Sequence, residues 1–138
     1  QQIWIDDLCN LSWLFYHTHA HLLSRPHLLN PTFAGSTDVG GADADMIVDG
    51  CLIDIKTTKQ SKVDPRWLRQ LAGYLLLDYR DEYHLHSVGL YLARHGVFLS
   101  WPVEYFIQTL TGDPEISVTA LRQEFQNLIG EKHPRKAG

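Results

Sequence analysis

The sequence predicts an α/β domain in which helices flank a mixed β-sheet. Three observations carry that prediction. Apolar residues recur at helical spacing over residues 5–23. An Asp49-Gly50 pair joins two short apolar runs in the manner of a hairpin. A second helical pattern, starting at Asp64, then separates that hairpin from another pair of strands. The chain of 138 residues is long enough for one domain with its own core.

The first helix is expected over residues 5–23, where Ile5, Leu8, Cys9, Ser12, Trp13, Phe15, Tyr16, Ala20 and Leu23 form a broad apolar face. Pro26 ends or turns it. Residues 30–41 are rich in Pro, Gly, Ser and Thr and read as loop, with a short strand around Thr32 and Phe33. A strand over 45–48 runs into the Asp49-Gly50 turn, and residues 51–57 return. Asp64 is placed to cap the next helix and Pro65 to open it. Trp67, Leu68, Leu71, Tyr74, Leu75 and Leu77 carry this helix to about Tyr79. Strands at 87–93 and 96–101 turn at Arg94-His95-Gly96. Pro102 opens a helix to about Leu110, an amphipathic helix covers 117–129, and residues 131–138 read as a frayed basic tail.

Composition is that of an ordinary soluble protein, 44% hydrophobic and 20% charged. No apolar run reaches the roughly 20 residues that cross a bilayer, and no signal peptide stands at the start. The first residue is Gln1 rather than Met, as in a piece of a longer chain. Cys9 and Cys51 have no metal-ligand spacing and form no disulfide framework. They are expected to be buried, reduced thiols of a cytoplasmic protein. The net charge of −4 counts against a dedicated nucleic-acid binder, although local patches decide contact.

The densest chemistry lies in residues 41–57, GADADMIVDGCLIDIKT. Side chains two apart on a strand share a face, so Asp54 and Lys56 point together, with Leu52, while Ile53 and Ile55 point the other way. Counting back from the turn, Val48 faces Cys51, Ile47 faces Leu52, Met46 faces Ile53 and Asp45 faces Asp54. Two like charges directly opposite destabilise a sheet. Lys56 is one compensating group, and a divalent cation is the other, since Mg²⁺ is held by one or two carboxylates together with waters and substrate phosphates. A solvated surface hairpin would carry the same acids without chemistry. Asp49 is a turn residue. Asp43 stays open between a supporting acid, a surface acid and a ligand in a different register.

The Asp45 … Asp54-Ile55-Lys56 pattern resembles that of the PD-(D/E)XK nuclease superfamily. Gln70-Leu71-Ala72-Gly73-Tyr74, on the helix directly after the lysine strand, is similar to the Gln-x-x-x-Tyr motif of its RecB-like branch, and Thr57 and Thr58 also fit that branch. The matched motifs cover about residues 41–74. The resemblance implies a restriction-endonuclease-like core in a single nuclease-like domain spanning residues 1–138. It implies Mg²⁺ or Mn²⁺ held by Asp45, Asp54 and the Ile55 carbonyl, Lys56 assisting the attacking water, and Gln70 and Tyr74 positioning DNA. The segment before Asp45 leaves room only for a brief first core strand, or for one within residues 31–41. The upstream histidine frequent in that branch has no motif-assigned counterpart here.

Lys59, Lys62, Arg66 and Arg69 gather after the return strand. They read either as a solvated charge run or as contacts to a DNA backbone. Trp67 among them reads as a core residue or a base-stacking platform. His17 and His21 stand four apart on the first helix, and His19 points elsewhere. They read as exposed helix histidines, as a zinc pair wanting a third ligand, or as a source of one histidine for the nuclease metal. The leading expectation is a Mg²⁺-dependent deoxyribonuclease, endo- or exonucleolytic. The alternative is an inactive nuclease-like domain that binds nucleic acid or a protein partner in a repair or defence assembly. Protein partners, or other copies of the chain, fit either one.

Overall fold

A computed structural model describes residues 1–132. Helix α1 (Gln2–His19) runs into a 3-10 turn, Ala20–Ser24, and then into strand β1 (His27–Leu29). A second 3-10 turn, Ser36–Val39, precedes the hairpin of β2 (Met46–Val48) and β3 (Cys51–Lys56). Helix α2 (Pro65–Leu77) leads to the hairpin of β4 (Ser87–Leu92) and β5 (Val97–Pro102), and α3 (Val103–Thr111) and α4 (Val118–Lys132) close the chain. The five strands form one sheet in sequence order. Every neighbouring pair is antiparallel except β3–β4, which is parallel. A parallel pair needs a crossover, and α2 supplies it.

The two sheet faces are covered differently. Leu52, Val88 and Leu90 face α2, α3 and α4, where they pack with Leu71, Leu75, Phe106, Ile107 and Val118. Met46, Val48, Ile53 and Tyr91 face the other way, onto Leu11, Phe15 and Leu22 from the first helical segment. Alternation along β3 therefore sends Leu52 and Ile53 into separate cores, and Asp54 follows Leu52 to the α2 side.

Both ends of α2 are fixed. Asp64 caps it, its Oδ1 accepting the Arg66 N–H at 2.8 Å, with Pro65 in the first turn. At the other end Asp78 is fully buried and accepts backbone N–H groups of Glu82 and Tyr83. Arg122 of α4 completes the lock: its Nε donates to Leu75 O at 3.0 Å and its Nη1 to Asp81 at 2.8 Å.

Several expectations are corrected. The first strand is His27–Leu29 rather than Thr32–Phe33; Thr32 makes only an isolated bridge to Asp43. All three residues of β1 are exposed, so it lacks the buried alternation that would have revealed it; pairing with β2 alone makes it a strand. The first helix stops at His19, before a 3-10 turn, not at Leu23. No residue of α1 is buried, although its apolar pattern predicts a buried face. Cys9 is exposed and Cys51 half-buried, and both are free thiols. Helix α4 continues through Glu131 and Lys132, into the expected tail; residues 133–138 lie outside the described part. Among the described residues no helix is long and apolar enough to cross a membrane.

Candidate active site

The hairpin turn sets the register on which the site depends. Asp49 and Gly50 both have positive φ, 49° and 74°, as a two-residue turn of the twist-matching kind requires. The pairs Val48–Cys51, Ile47–Leu52 and Met46–Ile53 follow, as the count from the turn predicts. The ladder ends there, and Asp45, the next residue, stays close enough for its charge to act on Asp54. The chain before Met46 bonds instead to the segment that follows β1: Asn30 N–H bonds Asp45 O and Ala44 N–H bonds Pro31 O.

That departure leaves Ile55 without a β2 partner. Its N–H donates instead to Asp45 Oδ2 at 2.6 Å. A strand residue directs its N–H and C=O to the same neighbour, so the Ile55 carbonyl points to the same edge, beside Asp45. Asp45 Oδ2 is thus engaged, and the carboxylate keeps lone pairs on Oδ1 for another partner.

Asp54 is only 3% exposed. Burial pushes its carboxyl above the usual carboxylate range; the Lys56 ammonium opposes the shift, and the Asp45 charge reinforces it. Lys56 Nζ lies 2.6 Å from Asp54 Oδ2. Oδ2 is nevertheless a buried oxygen without a hydrogen-bond partner, so the contact is an ion pair. A carboxylate held this way keeps acceptor capacity for a cation.

Lys56 also donates to Gln70 Oε1 at 2.7 Å, and Gln70 Nε2 donates to Tyr74 OH at 2.7 Å. Gln70 and Tyr74 sit four apart on α2 and so share a face. The Tyr74 oxygen accepts from Gln70, which leaves its own proton to donate. Burial raises its pKa, as does the field of Asp54, Asp45 and Asp43, against the opposing Gln70 bond. The phenol therefore stays protonated at neutral pH. Its ring stacks on Phe33, 5.8 Å between centroids.

Asp45, Asp54, Ile55, Lys56, Gln70 and Tyr74 thus form one connected group. Two features of it were not legible in the sequence. Asp43 is near enough for its charge to act on Tyr74; the only signal was its parity with Asp45. Phe33 orients Tyr74, and nothing local in the sequence links them.

The basic residues do not form one patch. Lys59 turns to the α1 side, lining a groove of about 530 Å³ with Trp4, Asp7, Asn10 and Arg94. Arg66 is tied to its own helix cap, Nη2 to Asp64 Oδ2 at 2.6 Å. The Arg66 hydrogen bonds hold the Asp64 carboxyl down to about 2. Arg69, on α2, and Lys62, in the loop before it, are exposed. Trp67 is half-buried against the main core.

The histidines stay apart from this group. His17 stacks on Trp13 at 4.0 Å and its Nδ1 meets Trp13 O. His19 packs edge-on to Tyr91. The helix ends between His17 and His21, which breaks the shared face a zinc pair needs. Among the described residues no three His, Cys, Asp or Glu side chains gather as a ready metal site.

No protein-family model matches the chain, and no curated protein or solved structure matches it.

Proposed function

We propose that the protein is a Mg²⁺- or Mn²⁺-dependent nuclease that hydrolyses DNA phosphodiester bonds. The observation that carries this is the buried Asp54 carboxyl, 3% exposed, with the Asp45 charge acting on it and Lys56 Nζ 2.6 Å away. Burial and the Asp45 charge both disfavour an ionised Asp54 unless a cation stands near, and Lys56 supplies one charge for two. The donor set suits a hard divalent ion, which takes oxygen ligands and keeps waters and substrate phosphate in its remaining positions. Asp45, Asp54 and the Ile55 carbonyl would hold it. Bound there, the ion supplies Lewis-acid polarisation of a phosphate oxygen and lowers the pKa of a bound water.

The chain's own groups divide the remaining work. Lys56 pairs in charge with Asp54 and donates one N–H to Gln70; its other N–H groups orient the attacking water or meet charge on the phosphate. Gln70 holds both Lys56 and Tyr74 in place. The Tyr74 hydroxyl donates to a phosphate oxygen, and Phe33 fixes the ring. Arg69 and Lys62 are the cations free to follow the backbone on the α2 side. A restriction-endonuclease-like arrangement of the sheet and helices is part of the same proposal.

Cleavage of single- and double-stranded DNA, assayed with Mg²⁺ and with Mn²⁺, tests it. Asp54→Ala and Lys56→Ala are each expected to lose on the order of a hundredfold or more in rate. Cleavage that survives both substitutions overturns the assignment.

A further inference from the structure

Helix α1 is apolar on two sides. Its inner side, Leu11 and Phe15, packs on the sheet. Its outer side carries Ile5, Cys9, Ser12 and Tyr16 at spacings of four, three and four, the seam of a two-helix coiled coil. Leu8 and Trp13 flank that seam, one on each shoulder. Ile5 is 54% exposed, Leu8 65%, Trp13 61% and Tyr16 70%. Together they present on the order of 600 Å², as much as the largest apolar patch on a typical monomer.

We infer that this outer face of α1 is a two-fold interface between copies of the chain. The order of residues on it is the first reason. Around a point midway between Asn10 and Leu11, an antiparallel partner helix sets Ile5 against Tyr16 and Cys9 against Ser12. Each pairing then occurs twice, as a two-fold interface demands. Bulky residues lie at both ends and small ones at the centre, where the helices approach most closely. Each shoulder residue lies near its own mate: Trp13 is about 7.5 Å along the axis from its copy, from the helical rise.

Charge argues against a lipid or nucleic-acid occupant. Residues 2–19 contain no Lys or Arg. Of their two acids, Asp7 pairs with Arg94, and Asp6 accepts a hydrogen bond from Gln2 on the same helix. A lipid surface or a nucleic acid calls for basic residues here. A second copy of the same largely apolar face does not. Area fits too: two such faces bury about 1,200 Å² together, the lower end for a specific interface. The α1 helix covers the sheet face opposite Asp54, so pairing leaves both candidate active sites open.

Sedimentation velocity over a wide concentration range, with circular dichroism to check folding, tests this inference. The unaltered chain is expected to pass from monomer to dimer as concentration rises. Trp13→Glu and Tyr16→Glu, both at exposed positions, are expected to weaken dimerisation roughly tenfold or more. A short thiol-reactive cross-linker, its product mapped by mass spectrometry, gives a readout that needs no change in the seam: Cys9 is expected to link to Cys9 of the second copy. A monomer at every concentration, or a dimer that neither substitution weakens and Cys9 does not bridge, overturns the inference. None of these readouts depends on DNA cleavage.

Discussion

Lys56 Nζ stands 2.6 Å from Asp54 Oδ2, and Asp54 is nearly excluded from water. Burial raises the carboxyl's pKa and the lysine does not fully offset that rise. The candidate site thus holds a carboxylate less stable than it would be in water, a condition that a bound cation relieves.

The pH dependence of stability follows from the direction of that shift. A carboxyl whose folded pKa is raised above its unfolded value near 3.8 contributes stability that is fully present below the unfolded value. That contribution is lost as pH rises through the folded one. Asp54→Asn cannot ionise. Its melting temperature relative to the unaltered protein is therefore expected to climb as pH rises above about 4, without metal. Thermal unfolding followed by circular dichroism reads this, and a flat or falling difference contradicts the burial account.

Divalent metal is expected to stabilise the folded protein. Mn²⁺ at about 100 times its dissociation constant adds about 2.7 kcal/mol. Asp45→Asn and Asp54→Asn should each lose most of that gain, and a chelator should remove it. Calorimetric titration measures the binding directly. Undiminished Mn²⁺ affinity in both variants sinks the proposed ligand set.

Tyr74 joins a packing role to a chemical one, and two substitutions separate them. Tyr74→Phe keeps the ring against Phe33 and removes the hydroxyl. It is expected to leave the melting temperature nearly unchanged and to slow cleavage about tenfold or more, the worth of one hydrogen bond to a charged group. Tyr74→Ala loses the ring as well and is expected to cost about 2 kcal/mol of stability. Equal cleavage by the Phe variant and the unaltered protein would remove Tyr74 from the chemistry.

The turn that sets the register is sensitive at Gly50. Its φ is 74°, and an added Cβ would fall 2.7 Å from His86 Cδ2. Gly50→Ala is expected to cost about 1–2 kcal/mol, because a side chain there strains the backbone as well as crowding the histidine. Chemical denaturation reads the loss.

The sequence alone determined the parts governed by short-range physics. The β2–β3 register follows from a two-residue turn and the period of two along a strand, so the pairs from Val48–Cys51 to Met46–Ile53 were legible from residue order. So were the Asp64 cap with Pro65 and the shared face of Gln70 and Tyr74, each decided within one helical turn. Tertiary structure decided what depends on distant partners. Strand β1 exists because β2 offers it an edge, and its exposed residues carry no pattern of their own. Phe33 stacks on Tyr74, and Asp43 acts on it, although both lie in the loop before β2, far from α2 in sequence. The four cations looked like one patch because they are close in sequence, but Lys59 turns to α1 and Arg66 to Asp64. The apolar pattern of α1 correctly marked a helix, but the residues of its expected apolar face are mostly exposed. Sequence periodicity cannot say how much of that surface the sheet takes up, because coverage depends on where the helix docks, and here it leaves the outer face bare.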